Sequence, residues 1–164
     1  MKLIVFCLMV ACVSALRLHP PFPHGLCADE PVVIRCNDQI ALDKLHLLSE
    51  QAGYSVNLEA VKRRTDLFVN DVRRLGKKYG VPVENDLKCI QQVICQIEIS
   101  PEGLQKLIDK NFVLFYRLFN GKVPDSGEFQ GVQFQIRFLQ SLKHLLEEYA
   151  GRNGTRSGLV LTPL

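Results

Sequence analysis

Thiols and imidazoles are the side chains of this sequence best able to do chemistry. Six cysteines occur, Cys7, Cys12, Cys27, Cys36, Cys89 and Cys95. A zinc site draws on Cys or His pairs with about two to four residues between them, and no Cys–Cys pair of that spacing follows Cys12. The four histidines, His19, His24, His46 and His144, are scattered; His46 and His144 can meet only if the fold brings their helices together. There is no G-x-S-x-G elbow, no phosphate-cradling G-x-x-x-x-G-K and no H-E-x-x-H. Glu147 and Glu148 are adjacent, so on a helix they diverge by about 100° and read as a solvated face. The expectation is a protein with no catalytic residues, no metal and no cofactor, whose cysteines pair with one another.

Pairing requires an oxidising compartment, and the N-terminus supplies the route. Lys2, the apolar run Leu3–Val10 and the small residues Val13-Ser14-Ala15 read as a secretory signal peptide over residues 1–15, cleaved after Ala15. Removing it from 164 residues leaves 149 with four cysteines, an even number for a secreted, extracellular chain. No apolar run approaches the ~18 residues of a membrane span, and Leu159-Val160-Leu161 is too short for a glycolipid-anchor tail. No transmembrane anchor is therefore expected. The balance of 20 Lys+Arg against 17 Asp+Glu is too mild to indicate nucleic acid. At 47% hydrophobic residues, the chain can bury a core.

The positioning elements follow from periodicity. Residues 16–36 form an irregular lead-in rich in proline, with Val32-Val33-Ile34 as a short strand candidate. The helical domain spans 37–150. Asn37 caps a first helix carrying Ile40, Ala41, Leu45 and Leu48; Asn57 caps a second with Leu58, Val61, Thr65, Phe68, Val72, Leu75 and Tyr79, stopped by Gly80 and Pro82. A third is expected from Asp86 with Leu87, Ile90, Val93, Ile94 and Ile97. Ser100-Pro101-Glu102 starts a fourth, which ends at Asn120-Gly121. From Val132 to Phe138 the residues alternate as in a strand, but Phe129, Val132, Ile136, Leu139, Leu142 and Leu146 also form a helical stripe, which Ser126 can cap. A lone strand lacks partners, so one long helix is expected. The fold class is all-α, a compact bundle of about five helices, followed by a flexible tail over 151–164. That tail holds the sequon Asn153-Gly154-Thr155, a candidate glycosylation site.

Cys89 and Cys95 sit six residues apart, roughly 9 Å along a regular helix, beyond the about 4.4–6.8 Å between Cα atoms that a disulfide spans. Cys27 and Cys36 should each reach one of them, in either crossed connectivity. A break before Cys95 would instead favour local pairs. Each long-range bridge constrains the unfolded chain by roughly 3–5 kcal/mol in the entropy model.

Two features suggest binding. Phe112, Phe115, Tyr116, Phe119, Phe129, Phe134 and Phe138 fall within 27 residues. Phe112, Phe115, Phe119, Phe134 and Phe138 are the candidate lining of a pocket for a small hydrophobic ligand; a filled aromatic core fits the same residues. The second helix carries Lys62, Arg63, Arg64, Arg73, Arg74, Lys77 and Lys78 against three acids over 59–78, and Lys62, Arg73 and Lys77 share a stripe that can face an extracellular receptor or anionic surface. A solvated polar face explains the stripe equally well. The dibasic pairs Arg63-Arg64 and Arg73-Arg74 also permit prohormone processing.

The combination of leader, helices, disulfides and apolar interior resembles the small secreted helical carriers of arthropods, the odorant-binding and chemosensory proteins. A local likeness to the chemosensory proteins lies in Cys89-x5-Cys95 followed by Ser100-Pro101-Glu102-Gly103. Their six-residue cysteine spacing and two further downstream cysteines are missing, so no binding residue is carried over. The leading expectation is a secreted, non-enzymatic helical binding protein, a carrier of a small hydrophobic ligand. The alternative is a secreted interaction protein, cytokine-like, venom-type or prohormone, acting through the basic helical face.

Overall fold

Three side-chain oxygens set the starts of three helices. Asn37 Oδ1 accepts from the Ile40 amide at 2.8 Å, Asn57 Oδ1 from Ala60 at 2.8 Å and Ser100 Oγ from Gly103 at 3.0 Å. Each satisfies an amide that the first turn leaves without a carbonyl. The computed structural model describes Cys27 and residues 35–120, 122–125 and 127–155, with backbone alone for 152–155. Its elements are α1 (Asp38–Gln51), α2 (Leu58–Tyr79), α3 (Glu84–Gln96), α4 (Pro101–Phe119) and α5 (Gln130–Thr155). The all-α expectation holds, and among the described residues there is no strand. The expected signal peptide over residues 1–15, most of the lead-in, the Val32–Ile34 candidate, Ser126 and residues 156–164 lie outside the described residues.

The helix ends follow the chain's punctuation. Gly80 takes the left-handed conformation at φ 68° and closes α2, its amide donating to Gly76. Asn120 does the same for α4 at φ 36°, a conformation asparagine tolerates better than most side chains. Two boundaries differ from expectation. α3 begins at Glu84 rather than Asp86, because Asp86 is turned inward and buried instead of capping. α5 continues past Gly151 to Thr155, so the helical domain outruns residue 150.

The segment that alternates from Val132 to Phe138 is helical. Val132, Ile136, Leu139 and Leu142 are buried, whereas Phe134 is 45% exposed. The stripe at steps of three and four therefore decides burial, not the alternation.

α5 packs along α2 and α4, while α1 lies on α2 and α3. The core runs through Leu45, Val61, Val72, Leu75, Leu107 and Leu139, all essentially inaccessible. The consecutive helices α2 and α3 barely approach each other.

Two disulfides clamp the lead-in to α3: Cys27–Cys89 and Cys36–Cys95, with Cα separations of 5.5 and 6.0 Å. α3 stays regular through both of its cysteines, as the crossed connectivities require. On the same side, Lys44 of α1 donates to the Ile97 carbonyl at 2.7 Å and the Cys95 carbonyl at 3.4 Å. It serves as a cationic cap on the negative end of α3, and burial holds its ammonium below the usual lysine range.

Candidate functional site

The five phenylalanines expected to line one pocket are distributed over different environments. Phe119 is buried and Phe115 half-buried, their ring centroids 4.6 Å apart. Phe129 joins them at 5.5 and 5.7 Å, and Tyr79 meets Phe119 at 5.7 Å. All these contacts are edge-on, the arrangement that ring quadrupoles favour. Phe138 is buried elsewhere on α5, against Tyr54 at 5.8 Å and beneath the Arg64 guanidinium at 4.5 Å. Phe112 is half-buried against the core, and Phe134 faces solvent.

A cavity does open where α2 and α3 stand apart. It measures about 490 Å³ and is open to solvent. α1 supplies Leu42 and Leu45, α2 supplies Phe68 and Val69, and α3 supplies Leu87 and Ile90. Of these, Leu42, Leu45, Phe68 and Ile90 belong to the buried core, so the floor of the cleft is the outer surface of the core itself. Asp38, Asp66, Arg73, Glu84, Lys88 and Gln91 form its polar rim.

Two rim contacts tie the walls together. The Arg73 guanidinium donates from Nε to Glu84 Oε1 at 2.8 Å and from Nη2 to Oε2 at 3.2 Å, joining α2 to α3. This fork holds the Glu84 carboxyl below the usual glutamate range and raises Arg73 further. Gln91 Nε2 donates to Asp38 Oδ1, joining α3 to α1. The disulfides join the lead-in to α3 at Cys89 and Cys95, on either side of Gln91 in sequence, so the cleft is framed by covalent and polar ties.

The basic stripe is largely engaged within the molecule. Lys62 pairs with Asp66 at 3.2 Å, one turn along, and Arg73 is held by Glu84. Lys77 is exposed and has no ion pair among the described residues. Arg74 pairs with Asp71 at 2.9 Å, and Lys78 with Glu128. Arg63-Arg64 and Arg73-Arg74 both lie inside α2, with Arg64 stacked on Phe138.

One buried charge pair was not legible in the sequence. Asp86 is 3% exposed, and its Oδ2 lies 3.3 Å from Arg117 Nη2, whose group also donates to the Pro82 carbonyl at 3.2 Å. Desolvation pushes the Asp86 carboxyl above the usual aspartate range, and the Arg117 charge draws it partly back. The pair joins α3 to α4 and lies outside the cleft lining.

The histidines remain apart. His46 contacts Glu50 at 3.0 Å and the Val56 carbonyl at 3.1 Å, whereas His144 contacts Glu148 at 3.1 Å on another helix. Among the described residues no cluster of His, Cys, Asp or Glu could hold a metal ion, and no helix is long and apolar enough to cross a membrane. The backbone of Asn153 belongs to the last turn of α5.

Compared with known proteins, the chain matches no family model, no curated protein and no solved structure.

Proposed function

We propose that the protein is a secreted, non-enzymatic binding protein that carries a small hydrophobic ligand in the cleft between α1, α2 and α3. The observation that carries this reading is the cleft. Its volume of about 490 Å³ falls within the ~300–1,000 Å³ of small-molecule sites, and its apolar wall is bordered by eight polar or charged residues. The partly exposed apolar wall of Val69 and Leu87, over the edge of Leu42, suits an alkyl or terpenoid body, and the rim suits a polar head. Secretion is supported by the leader-like residues 1–15 and by two disulfides. Glycosylation of Asn153 belongs to the same reading.

The second candidate pocket, around Phe112, Phe115, Phe119, Phe134 and Phe138, has less support. Its rings contact one another or the core, or they face solvent.

The test is the mass of the secreted protein under native and then denaturing conditions. A native excess that disappears on denaturation is expected, and it would be restored by adding a medium-chain alcohol to stripped protein. Equal masses in both states, with and without the alcohol, would contradict the carrier reading.

A further inference from the structure

The opposite flank of α2 carries a different surface. Leu67 is 53% exposed and Phe134 45% exposed, although both stand on helices whose inner faces are packed. The crossing of α2 and α5 places them together. A Cβ on Gly131 would lie 2.5 Å from the Leu67 carbonyl oxygen, so the two backbones touch at this level. Phe134 follows one turn along α5, in the direction in which Arg64 of α2 meets Phe138. Leu67 and Phe134 thus form an apolar pair on the solvent side of a rigid crossing.

Arg63 lies one turn from Leu67, and Arg137 lies three residues from Phe134; both are exposed and form no ion pair or hydrogen bond among the described residues. From Gln130 to Leu146, α5 contains no acidic residue. Asp71, the acid that meets α5 at Gly131, is occupied by Arg74 and by the Gly131 amide. Arg137 therefore flanks the apolar pair with no acid on its own helix face, and Arg63 flanks it without a formed ion pair, Glu59 lying one turn before it, whereas the cations of the sequence stripe, Lys62 and Arg73, are neutralised by neighbours.

We infer that Leu67, Phe134, Arg63 and Arg137 form a docking surface for an acidic partner protein, one that presents carboxylates around an apolar recess. Aromatic residues and arginine are enriched in the energetic centres of protein interfaces, and here they are preorganised by a backbone contact. A second copy of the chain is a poor occupant, because a two-fold contact would bring like arginines together. A bilayer is also a poor occupant. The apolar pair is small and half-sunk, and its cations are arginines on short helical spacings rather than a lysine-rich face. This inference is independent of the ligand cleft.

The test uses the full secreted chain, isotope-labelled, and synthetic peptides that intersperse Asp and Glu with Leu and Phe. Amide shifts should concentrate around Leu67 and Phe134. Arg63→Glu with Arg137→Glu should weaken binding about tenfold or more, and Phe134→Ser should do the same with helicity and melting unchanged. Lys77→Glu should leave the affinity unaltered. Shifts located elsewhere, equal affinity for peptides carrying Lys in place of the acids, or no binding by any peptide would overturn the proposal. Binding to phosphatidylserine vesicles without peptide binding would overturn it in favour of a membrane surface. A dimer in sedimentation equilibrium that Phe134→Ser dissolves would overturn it in favour of self-association.

Discussion

The C-terminal end and the middle of the α2 helix differ in how they meet their neighbours. Towards Tyr79 the helix is sealed by rings. Tyr79, Phe115, Phe119 and Phe129 interlock with centroids 4.6–5.7 Å apart. In its middle, the side facing α3 is not sealed. Val69 and Phe68 stop short of Leu87 and Ile90 and leave a cavity of about 490 Å³. The ring end gathers the residues that look most like a ligand site in the sequence, yet large planar side chains fill space. The aliphatic side keeps its opening because both walls are held by ties that bypass it: α1 beneath, the disulfides on α3, and Arg73–Glu84 across the mouth. Aromatic density in a sequence therefore reports packing volume, whereas a void depends on how far apart the backbones are held.

Substitution at the two regions should separate them most strongly. Phe119→Ala removes a ring from a closed cluster and should cost about 3–5 kcal/mol in urea unfolding. Val69→Phe adds volume beside an open cavity. It should change stability by less than about 1 kcal/mol, because the overpacking penalty of about 1–3 kcal/mol requires a filled site. Comparable losses at both positions would mean that the cleft closes in solution.

The α3–α4 seam gives the next largest effect. Arg117→Ala strands the buried Asp86 carboxylate, but Arg117 is itself 31% exposed. The loss should fall below the about 3–5 kcal/mol of a fully buried pair. The sign with pH follows from linkage. The native Asp86 holds its proton to higher pH than the unfolded chain, so its contribution favours folding below the ordinary aspartate value and is lost as pH rises through the native one. Arg117→Ala should steepen this decline, and Asp86→Asn should flatten it. Urea midpoints between about pH 4 and pH 7 read both; an unchanged slope in both variants would remove Asp86 from the account.

Gly131→Ala should act more weakly, by about 1–3 kcal/mol. The new methyl would stand 2.5 Å from the Leu67 carbonyl oxygen and 2.7 Å from Asp71 Oδ2, forcing α2 and α5 apart. Thermal unfolding measures it, and the ring cluster and cleft should keep their contrast in this variant.

Much of the fold was legible because it is written in local chemistry. Asn37, Asn57, Ser100 and Gly80 act at helix ends through hydrogen bonds or backbone conformations that each residue type favours. The crossed disulfides followed from a distance argument that the regular α3 satisfies. Asp86 misled because an acid near a helix start resembles a cap, and only the tertiary partner Arg117 shows its role. Gln135 is 3% exposed and Phe134 45% exposed, an inversion of polarity that no hydropathy pattern reveals. The cleft was illegible for a related reason. Leu42, Val69 and Leu87 are ordinary apolar positions in their own helices, and the space between them exists only through the separation of α2 and α3.

The central claim, that the aliphatic cleft rather than the ring cluster receives an apolar ligand, is tested most directly by contact quenching. The chain has no tryptophan, so Val69→Trp and Phe115→Trp each report from one region alone. A brominated medium-chain alcohol quenches indole when the two are in contact. Saturable quenching of the tryptophan at position 69, with that at position 115 unaffected, is the predicted result. Saturable quenching at position 115 alone, or at neither position, would contradict it.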